Sequence, residues 1–278
     1  HIGPDAFRGS NLSGALILPD DVVTIGEYAF YSTNIGSVSF GNKLEEIQDD
    51  AFAECSSLSA ELRLPNFLKT IGARGFHDCN FSGKLILPDN LESIGEYAFA
   101  SAGQFSGDLI IPVKVTEIGN QAFQYTTFTG NLVLNNCVSL GSSCFVGSGF
   151  SGELIIPEGM IALPEFCFQA CKFSSVIFPS RLRRCGWQTF SKGNLLGQLY
   201  IPEGVVSIGK ETFRNQPFIN SVSLPSTLQT IGNEAFTNCY GISNITCSAI
   251  EPPTVQSGAF DGVANDNFTV EVPAQAVK

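Results

Sequence analysis

Apolar positions recur along this chain with a period of 22 to 24 residues. Each period contains a Phe that follows a small residue, and an apolar residue, in most periods Ile, lies five positions before that Phe. These Phe residues are called the Phe anchors: Phe7, Phe30, Phe52, Phe76, Phe99, Phe123, Phe145, Phe168, Phe190, Phe213, Phe236 and Phe260. Two positions that stay in phase over the whole chain indicate a repeat array, in which stacked coils replace separate globular cores.

A three-residue strand pattern completes each period. Its first and third residues are apolar, its middle residue varies, and a Pro often follows, as in Leu85-Ile86-Leu87-Pro88. This alternation is typical of a strand with one buried face. A strand this short is not stable alone, so its constant phase predicts that successive coils pair in one parallel sheet, with strands about 4.8 Å apart. The segments begin at Leu16, Val38, Leu62, Leu85, Leu109, Leu132, Leu154, Val176, Leu199, Val222 and Ile245.

The rest of each period must return behind the sheet. A Gly follows the aliphatic position in most periods, for example Gly26 and Gly95, which indicates a place where a Cβ would crowd the backbone. We expect short helical or 3₁₀ turns on this back, with the Phe anchors pointing inward. The predicted fold class is therefore a repeat solenoid of about 11–12 coils, each of 22–24 residues, with one parallel β-sheet on one face.

The repeated unit resembles that of the BspA-like leucine-rich repeats. Its order is strand-Pro, a spacer, Ile-Gly-x-x-Ala-Phe and then x-x-Cys, and the hexapeptide IGEYAF occurs unchanged at 25–30 and 94–99. The resemblance covers about residues 2–247 and implies a leucine-rich-repeat-like right-handed coil. It also implies a bacterial surface or secreted protein, because members of the family are mostly of that kind and some are implicated in adhesion to host proteins.

The resemblance also suggests a division of the chain. Residues 1–247 are predicted to form the BspA-like array, and residues 248–278 a C-terminal closing repeat, since this tail resembles the last segment of arrays in Bacteroides-type gut bacteria. The chain begins in mid-repeat at Ile2-Gly3 without a polar cap. Because terminal coils of a solenoid need capping, we expect the natural chain to continue upstream.

Composition narrows the possible partners. Hydrophobic residues make up 44% of the chain and charged residues 15%, so there is ample material for a core. The net charge of −11 disfavours nucleic acid and anionic membranes as partners. No apolar run approaches the roughly 18 residues that a membrane span requires, so no membrane insertion is expected.

The residues that could carry chemistry follow the repeat instead of forming a site. Most of the nine Cys occupy positions that hold small residues in other coils, which predicts buried free thiols and no zinc site. Cys137 lies outside these positions and is predicted to be exposed. His77 has no neighbours that differ from those of other coils. No catalytic residue, metal or cofactor is therefore predicted, and the chain is interpreted as a non-enzymatic protein.

The middle position of the strand pattern is the one feature that points to a partner. Five consecutive coils place Ile or Val there, and a Tyr follows in the next coil. On the outer face of the sheet these side chains would form an apolar stripe with a polar rim, which is typical of an interaction surface. The alternative is that Ile and Val simply favour strands. The candidate binding face consists of Ile86, Ile110, Val133, Ile155, Ile177 and Tyr200.

The favoured hypothesis is an extracellular, secreted or surface-attached interaction or adhesion module that presents its sheet face to a host protein or glycan. The other hypothesis is a structural spacer that displays another domain of a longer surface protein.

Overall fold

The computed structural model describes residues 1–263 and 269–276 of the chain. It divides into two compact units, His1–Phe150 and Ser151–Lys278, which are called the first and second unit. Each unit is a stack of coils made of short parallel strands and turns. Among the described residues the only helix is one 3₁₀ turn, η1 (Ala274–Ala276).

The strands predicted from the sequence, together with two that were not predicted, Gly103–Phe105 and Thr269–Glu271, form the outer face of each unit. In the first unit they are β1 (Ser13–Ile17), β3 (Asn34–Ser39), β5 (Glu61–Arg63), β7 (Phe81–Ile86), β9 (Gly103–Phe105), β10 (Leu109–Ile110) and β12 (Leu132–Val133). In the second unit they are β14 (Glu153–Ile155), β16 (Ser175–Ile177), β18 (Gly197–Tyr200), β20 (Ile219–Leu224), β22 (Asn244–Cys247) and β24 (Thr269–Glu271). All pairings are parallel, but the ladder is interrupted: the described sheets are β1-β3, β5-β7-β9 and β10-β12 in the first unit, and β14-β16 and β18-β20-β22-β24 in the second.

A second parallel sheet, not predicted from the sequence, runs along the aliphatic position before each Phe anchor. In the first unit it contains β2 (Thr24–Ile25), β4 (Glu46–Ile47), β6 (Thr70–Ile71), β8 (Ser93–Ile94), β11 (Glu117–Ile118) and β13 (Ser139–Leu140). In the second unit it contains β15 (Ala162–Leu163), β17 (Arg184–Cys185), β19 (Ser207–Ile208), β21 (Thr230–Ile231) and β23 (Thr254–Val255). Two-residue strands are below the length that an alternating pattern can reveal.

The Phe anchors form a column in the core of each unit. Neighbouring rings from Phe7 to Phe145 lie 5.1–5.5 Å apart between centroids, with their planes within 20° of parallel. From Phe168 to Phe260 the spacing is 5.2–5.6 Å. This offset stacking is the arrangement that aromatic quadrupoles favour. The side chains about 23 positions apart therefore lie over one another, and the predicted solenoid is confirmed in each unit.

The back of the coils has the predicted turns, but they are not helical. Two residues before and two residues after most Phe anchors, the backbone adopts a positive φ near 50–60°, as at Tyr28 and Ser32. The anchor N–H groups donate to the next coil, as Phe30 N does to Ala51 O at 2.8 Å and Phe99 N does to Ala122 O at 2.8 Å. Along each turn, successive backbone N–H groups therefore alternate between a hydrogen bond within the same coil and one to the next coil. In a helix, all of these hydrogen bonds would lie within one coil.

The Gly after the aliphatic position lies where two coils meet. A Cβ on Gly95 would come within 2.6 Å of the Ala73 nitrogen and the Gly72 carbonyl carbon. The corresponding glycines Gly26, Gly119, Gly186, Gly209 and Gly232 face the preceding coil in the same way. The expectation that a Cβ would crowd the backbone here is confirmed, and the crowding comes from the neighbouring coil.

The tail contributes further strands to the second unit. β23 pairs with β21, and β24 pairs with β22, so both ladders extend beyond residue 247. The division into an array of residues 1–247 and a closing segment of residues 248–278 stays a prediction.

Candidate binding face

Strand alternation places the predicted binding residues on the outside of each unit. Leu85 and Leu87 point into the core, whereas the Ile86 side chain between them is 68% exposed. The same alternation leaves Ile110, Ile155 and Tyr200 exposed, and Val133 and Ile177 somewhat less so. Three of the six residues lie in the first unit (Ile86, Ile110, Val133) and three in the second (Ile155, Ile177, Tyr200).

Register within the sheets determines which of these residues are neighbours. Ile110 is paired with Val133, and Ile155 with Ile177. Ile86 is paired with Arg63, and Tyr200 with Ser223, so the apolar row becomes polar in both places. Each unit therefore carries its own apolar patch on the strand face.

Polar residues border both patches two positions earlier in the strands. In the first unit the Asp108 carboxylate accepts a hydrogen bond from the Asn131 backbone N–H at 2.6 Å. In the second unit the Ser175 hydroxyl donates to the Glu153 carboxylate at 3.2 Å. These contacts between coils hold the rim in place beside an exposed apolar row.

A groove of about 370 Å³ opens on the strand face of the first unit. Ile86, Ile110 and Val113 form its apolar part, and all three are more than half exposed. Its polar groups are Lys84, Asp89, Asp108 and Asn135. The groove has the size of a small ligand pocket and combines apolar surface with convergent polar groups. The sequence pattern identified Ile86 and Ile110 but not the groove.

The second unit has an apolar pocket of about 300 Å³ near its C-terminal end. Val255, Phe260 and Val270 are among its lining residues, and Cys247 lies beside them. An acidic hollow of about 330 Å³ in the first unit includes Glu27, Glu46 and Asp49. Sequence reasoning missed both, because each depends on how coils end or pack and not on the repeated positions.

The cysteines are all buried and free, as predicted, with one correction. Cys137, which was expected to be exposed, is fully buried, because it takes the core position that Leu91 and Val115 hold in preceding coils. Burial raises the pKa of the Cys137 thiol to about 11 and that of Cys185 to about 12. A thiolate is therefore strongly disfavoured at these positions.

The position three residues after a Phe anchor has a role that the sequence pattern did not show. The Cys55 thiol donates to the Phe30 carbonyl of the preceding coil at 3.0 Å, and Cys79 donates to the Phe52 carbonyl at 3.2 Å. The Ser148 hydroxyl makes the same bond to the Phe123 carbonyl at 2.8 Å. The signal was present in the recurrence of Cys, Ser and Thr there, since each is both small and a hydrogen-bond donor.

His77 has one carboxylate and one aromatic ring as neighbours. Its Nδ1 lies 3.4 Å from an Asp78 carboxylate oxygen, and its ring packs edge-on against Tyr97. Within residues 1–263 and 269–276, no three His, Cys, Asp or Glu side chains are grouped as metal ligands would be. Over the same residues, no helix is both long and apolar enough to cross a membrane.

Comparison with known proteins identifies the repeat. The family described as "BspA type Leucine rich repeat region" matches residues 1–129 and 138–267, with six copies. No curated protein matches the chain significantly.

Solved structures show the same fold. A leucine-rich repeat protein from Bacteroides ovatus is 22% identical, with a TM-score of 0.65; the match covers 98% of this chain and 64% of that protein. The pneumococcal vaccine antigen PcpA is 19% identical, with a TM-score of 0.51, and the match covers 95% of this chain and 75% of that one. The chain thus spans just under two thirds of the length of the Bacteroides ovatus protein.

Proposed function

The chain belongs to the BspA-type leucine-rich repeat family, and on this basis we propose that it is a non-enzymatic, extracellular interaction module. Its strand face would bind a host protein or glycan and so support adhesion. Leucine-rich repeat proteins are commonly surface or protein-interaction modules, and stacked coils offer an extended surface for that purpose.

The observation that carries the proposal is that large aliphatic side chains on the strand face are exposed to solvent. Ile86, Ile110 and Ile155 are each more than half exposed at the end of a strand, between residues that are buried. Exposed apolar patches with a polar rim mark interaction sites more often than accidental surface. Strand propensity explains Ile or Val at one such position, but it does not explain the groove beside two of them.

An extracellular location is consistent with the state of the thiols. Oxidising compartments favour disulfides between accessible cysteines. Here every Cys is buried, and the thiolate that would attack another sulfur is disfavoured by burial.

The test compares substitutions on the strand face with matched substitutions elsewhere. Ile110→Asp and Ile155→Asp each place a charge in one of the two apolar patches, and both sites are exposed enough to tolerate it. Val138→Asp and Ile161→Asp are the controls, since these exposed aliphatic residues lie outside the strand face in the first and second unit.

Binding of each purified variant is measured on immobilised extracellular-matrix proteins and on a glycan array, and folding by circular dichroism. We expect at least one strand-face variant to lose binding by about tenfold or more while both controls bind normally. Equal binding by all variants would reject the strand face and leave the spacer as the better account.

A further inference from the structure

Three arginines of the second unit lie within four positions of one coil and have no carboxylate partner among the described residues. They are called the arginine patch: Arg181, Arg183 and Arg184, all of them exposed. The other four arginines of the chain each form an ion pair, as Arg74 does with Asp50 at 2.7 Å. The patch is therefore a concentration of positive charge that no described side chain neutralises.

The charge around the patch differs from that of the whole chain. Residues 174–196, the coil that carries it, contain Lys192 and the three arginines but no Asp or Glu. The acidic excess lies mainly in the first unit, where residues 1–150 hold 16 acidic and 7 basic residues. Residues 151–278 hold 10 acidic and 8 basic residues. The net charge of −11 therefore does not exclude an anionic partner at this patch.

The neighbouring coils leave space around two of the arginines. They hold small residues at the positions that correspond to Arg184 and Arg181. For Arg184 these are Ala162 and Ser207, with which it is paired, and for Arg181 they are Gly159 and Gly204. Small residues on both sides leave these guanidinium groups accessible to a partner.

Arg183 is oriented by its surroundings. Its Nη1 donates to the Leu182 carbonyl at 3.2 Å. A Cβ on Gly204 would collide with the same nitrogen, so the guanidinium group extends over a backbone that has no side chain there. A guanidinium group that is already oriented loses less conformational entropy when a ligand binds.

Aliphatic residues adjoin Arg183 in both neighbouring coils. The Arg183 N–H donates to the Ile161 carbonyl, and the Val206 N–H donates to the Arg183 carbonyl, both at 2.9 Å. The Ile161 side chain is 56% exposed and that of Val206 is 37% exposed. An exposed Arg between apolar side chains is typical of protein interfaces, in which Arg is enriched and often contributes much of the binding energy.

The two neighbouring carboxylates that lie nearest to Arg181 in the repeat are engaged elsewhere. Ser180 donates to Glu158 from its backbone N–H at 3.0 Å and from its hydroxyl at 2.9 Å. Ser226 donates to Glu203 in the same way, at 2.9 and 2.8 Å. Each Glu is thus held by a Ser of the next coil, and the arginines remain available to carboxylates from outside the chain.

We propose that the arginine patch binds an acidic segment of a partner protein, with carboxylates on the guanidinium groups and an aliphatic side chain on Ile161 or Val206. A guanidinium group can bind a carboxylate through two parallel hydrogen bonds. The aliphatic residues favour a peptide over a sulfated glycan, which has no aliphatic side chain to cover them. The site goes beyond the proposed function, because it lies outside the strand face and has a partner of its own.

The probe is a phage-displayed library of random peptides, panned against the full chain after depletion on the double variant Arg183→Glu/Arg184→Glu. We expect enriched sequences that combine two or more Asp or Glu residues with an aliphatic residue. In a titration of the synthetic peptide, Arg183→Glu and Arg184→Glu should each weaken binding by about tenfold or more. A library that yields no specific acidic peptide would overturn the proposal.

The matched control is Lys192→Glu, which makes the same change of charge on the same coil, outside the patch. This variant should bind the peptide nearly as the parent does, and circular dichroism should show that every variant folds. Equal losses for Lys192→Glu and Arg184→Glu would show that only the net charge of the second unit matters, and the patch would be rejected as a site.

Two further readouts separate the patch from other modes of binding. Raising NaCl from about 50 mM to about 500 mM should weaken the peptide strongly, because exposed charges are screened. Arg183→Lys should weaken it as well, since an ammonium group lacks the planar pair of donors. Binding that does not respond to salt would contradict the proposal. A heparin-derived oligosaccharide that binds the patch more tightly than any selected peptide would identify a glycan as the occupant and would also overturn it.

The failure of this inference is distinguishable from that of the proposed function. Ile161→Asp places a carboxylate beside Arg183 and should weaken the acidic peptide, whereas Ile155→Asp on the strand face should not. If Ile155→Asp abolishes binding to a matrix protein or glycan while the arginine variants bind the peptide normally, the strand face is a binding surface and the patch is wrong. If the arginine variants lose the peptide and no strand-face variant affects binding to matrix proteins or glycans, the patch stands and the strand face is rejected.

Discussion

At the scale of single residues, the Gly that follows the aliphatic position sets how closely two coils can approach. The backbone of Gly72 passes 2.6 Å from the point where a Cβ on Gly95 would lie. Backbone atoms cannot move aside as a flexible side chain can, so an added methyl group must push two coils apart.

We therefore predict that Gly95→Ala lowers the free energy of unfolding by about 1–3 kcal/mol, the usual cost of overpacking. Gly36→Ala is the matched control in the same unit, because the nearest atom to its added Cβ would be the Gly14 carbonyl oxygen at an ordinary 3.6 Å. Urea denaturation followed by circular dichroism measures both. Equal stability of the two variants would contradict the close approach of coils.

The buried thiols give a prediction about pH. The thiol is neutral in the fold, and burial raises the pKa of Cys137 from 9.0 to about 11 and that of Cys239 to about 12. A raised pKa means that the folded state resists deprotonation, so this contribution to stability is complete below pH 9 and is lost as pH rises through the folded pKa.

We expect the free energy of unfolding to fall between about pH 9 and pH 12. A variant with Cys137→Ala, compared with its parent across that range, should show a shallower decline. At pH 8 a disulfide reagent should titrate no thiol in the native protein and all nine after denaturation. Rapid labelling of the native protein would show that the cysteine positions open to solvent.

At the scale of the single element, the strand is the part of the fold that the sequence predicts best. Every predicted strand segment overlaps an observed strand. The pattern of two apolar residues flanking a variable residue is complete within three positions, so even a very short strand can be recognised from it. The inward and outward faces were predicted for the same reason, and Leu85, Ile86 and Leu87 show the alternation directly.

The sequence predicts the position of the turns on the back of the coils, but not their backbone conformation. Their left-handed residues include Asp5, Tyr28, Arg74 and Gln121, which share no turn chemistry. Gly, Asn and Asp signal such positions when the local backbone decides the conformation. Here the hydrogen bonds between coils decide it, so the positive φ is imposed by stacking and leaves no mark on residue type.

The groove could not be predicted for a related reason. Ile86 and Ile110 were identified from their strand position, but the opening beside them depends on whether β7 and β10 pair. Phe105 follows its anchor Phe99 by six residues, one more than separates Phe81 from Phe76. The effect of this extra residue on pairing depends on how the chain is accommodated in three dimensions. A one-residue change in spacing alters the structure by changing which residues of neighbouring strands are paired.

The two faces of a strand make opposite predictions for truncation. Leu154 is fully buried in β14, and the adjacent Ile155 is 57% exposed. Leu154→Ala should cost about 2–5 kcal/mol through lost burial and a cavity, whereas Ile155→Ala should change stability by less than about 0.5 kcal/mol. Chemical denaturation of the two variants tests the assignment, and a large loss for Ile155→Ala would mean that its side chain is covered.

At the scale of the whole molecule, the column of Phe anchors makes stability a property of neighbouring coils. Within the column each ring stacks on the rings of the adjacent coils, so removing one should weaken those two coils most. Phe213 lies between Phe190 at 5.6 Å and Phe236 at 5.3 Å, whereas Phe260 has one described partner in the column, Phe236 at 5.2 Å.

We predict that Phe213→Ala and Phe260→Ala differ both in the stability that is lost and in the number of coils that are affected. Phe213→Ala creates a cavity between two coils and should cost about 3–5 kcal/mol, with faster amide exchange on both sides of residue 213. Phe260→Ala should release only the coil that contains it, with faster exchange confined to the peptides around residue 260. Exchange measured by mass spectrometry on both variants distinguishes the patterns. Uniform acceleration over the second unit in both variants would indicate a single cooperative core, and the dependence of each coil on its immediate neighbours would then be wrong.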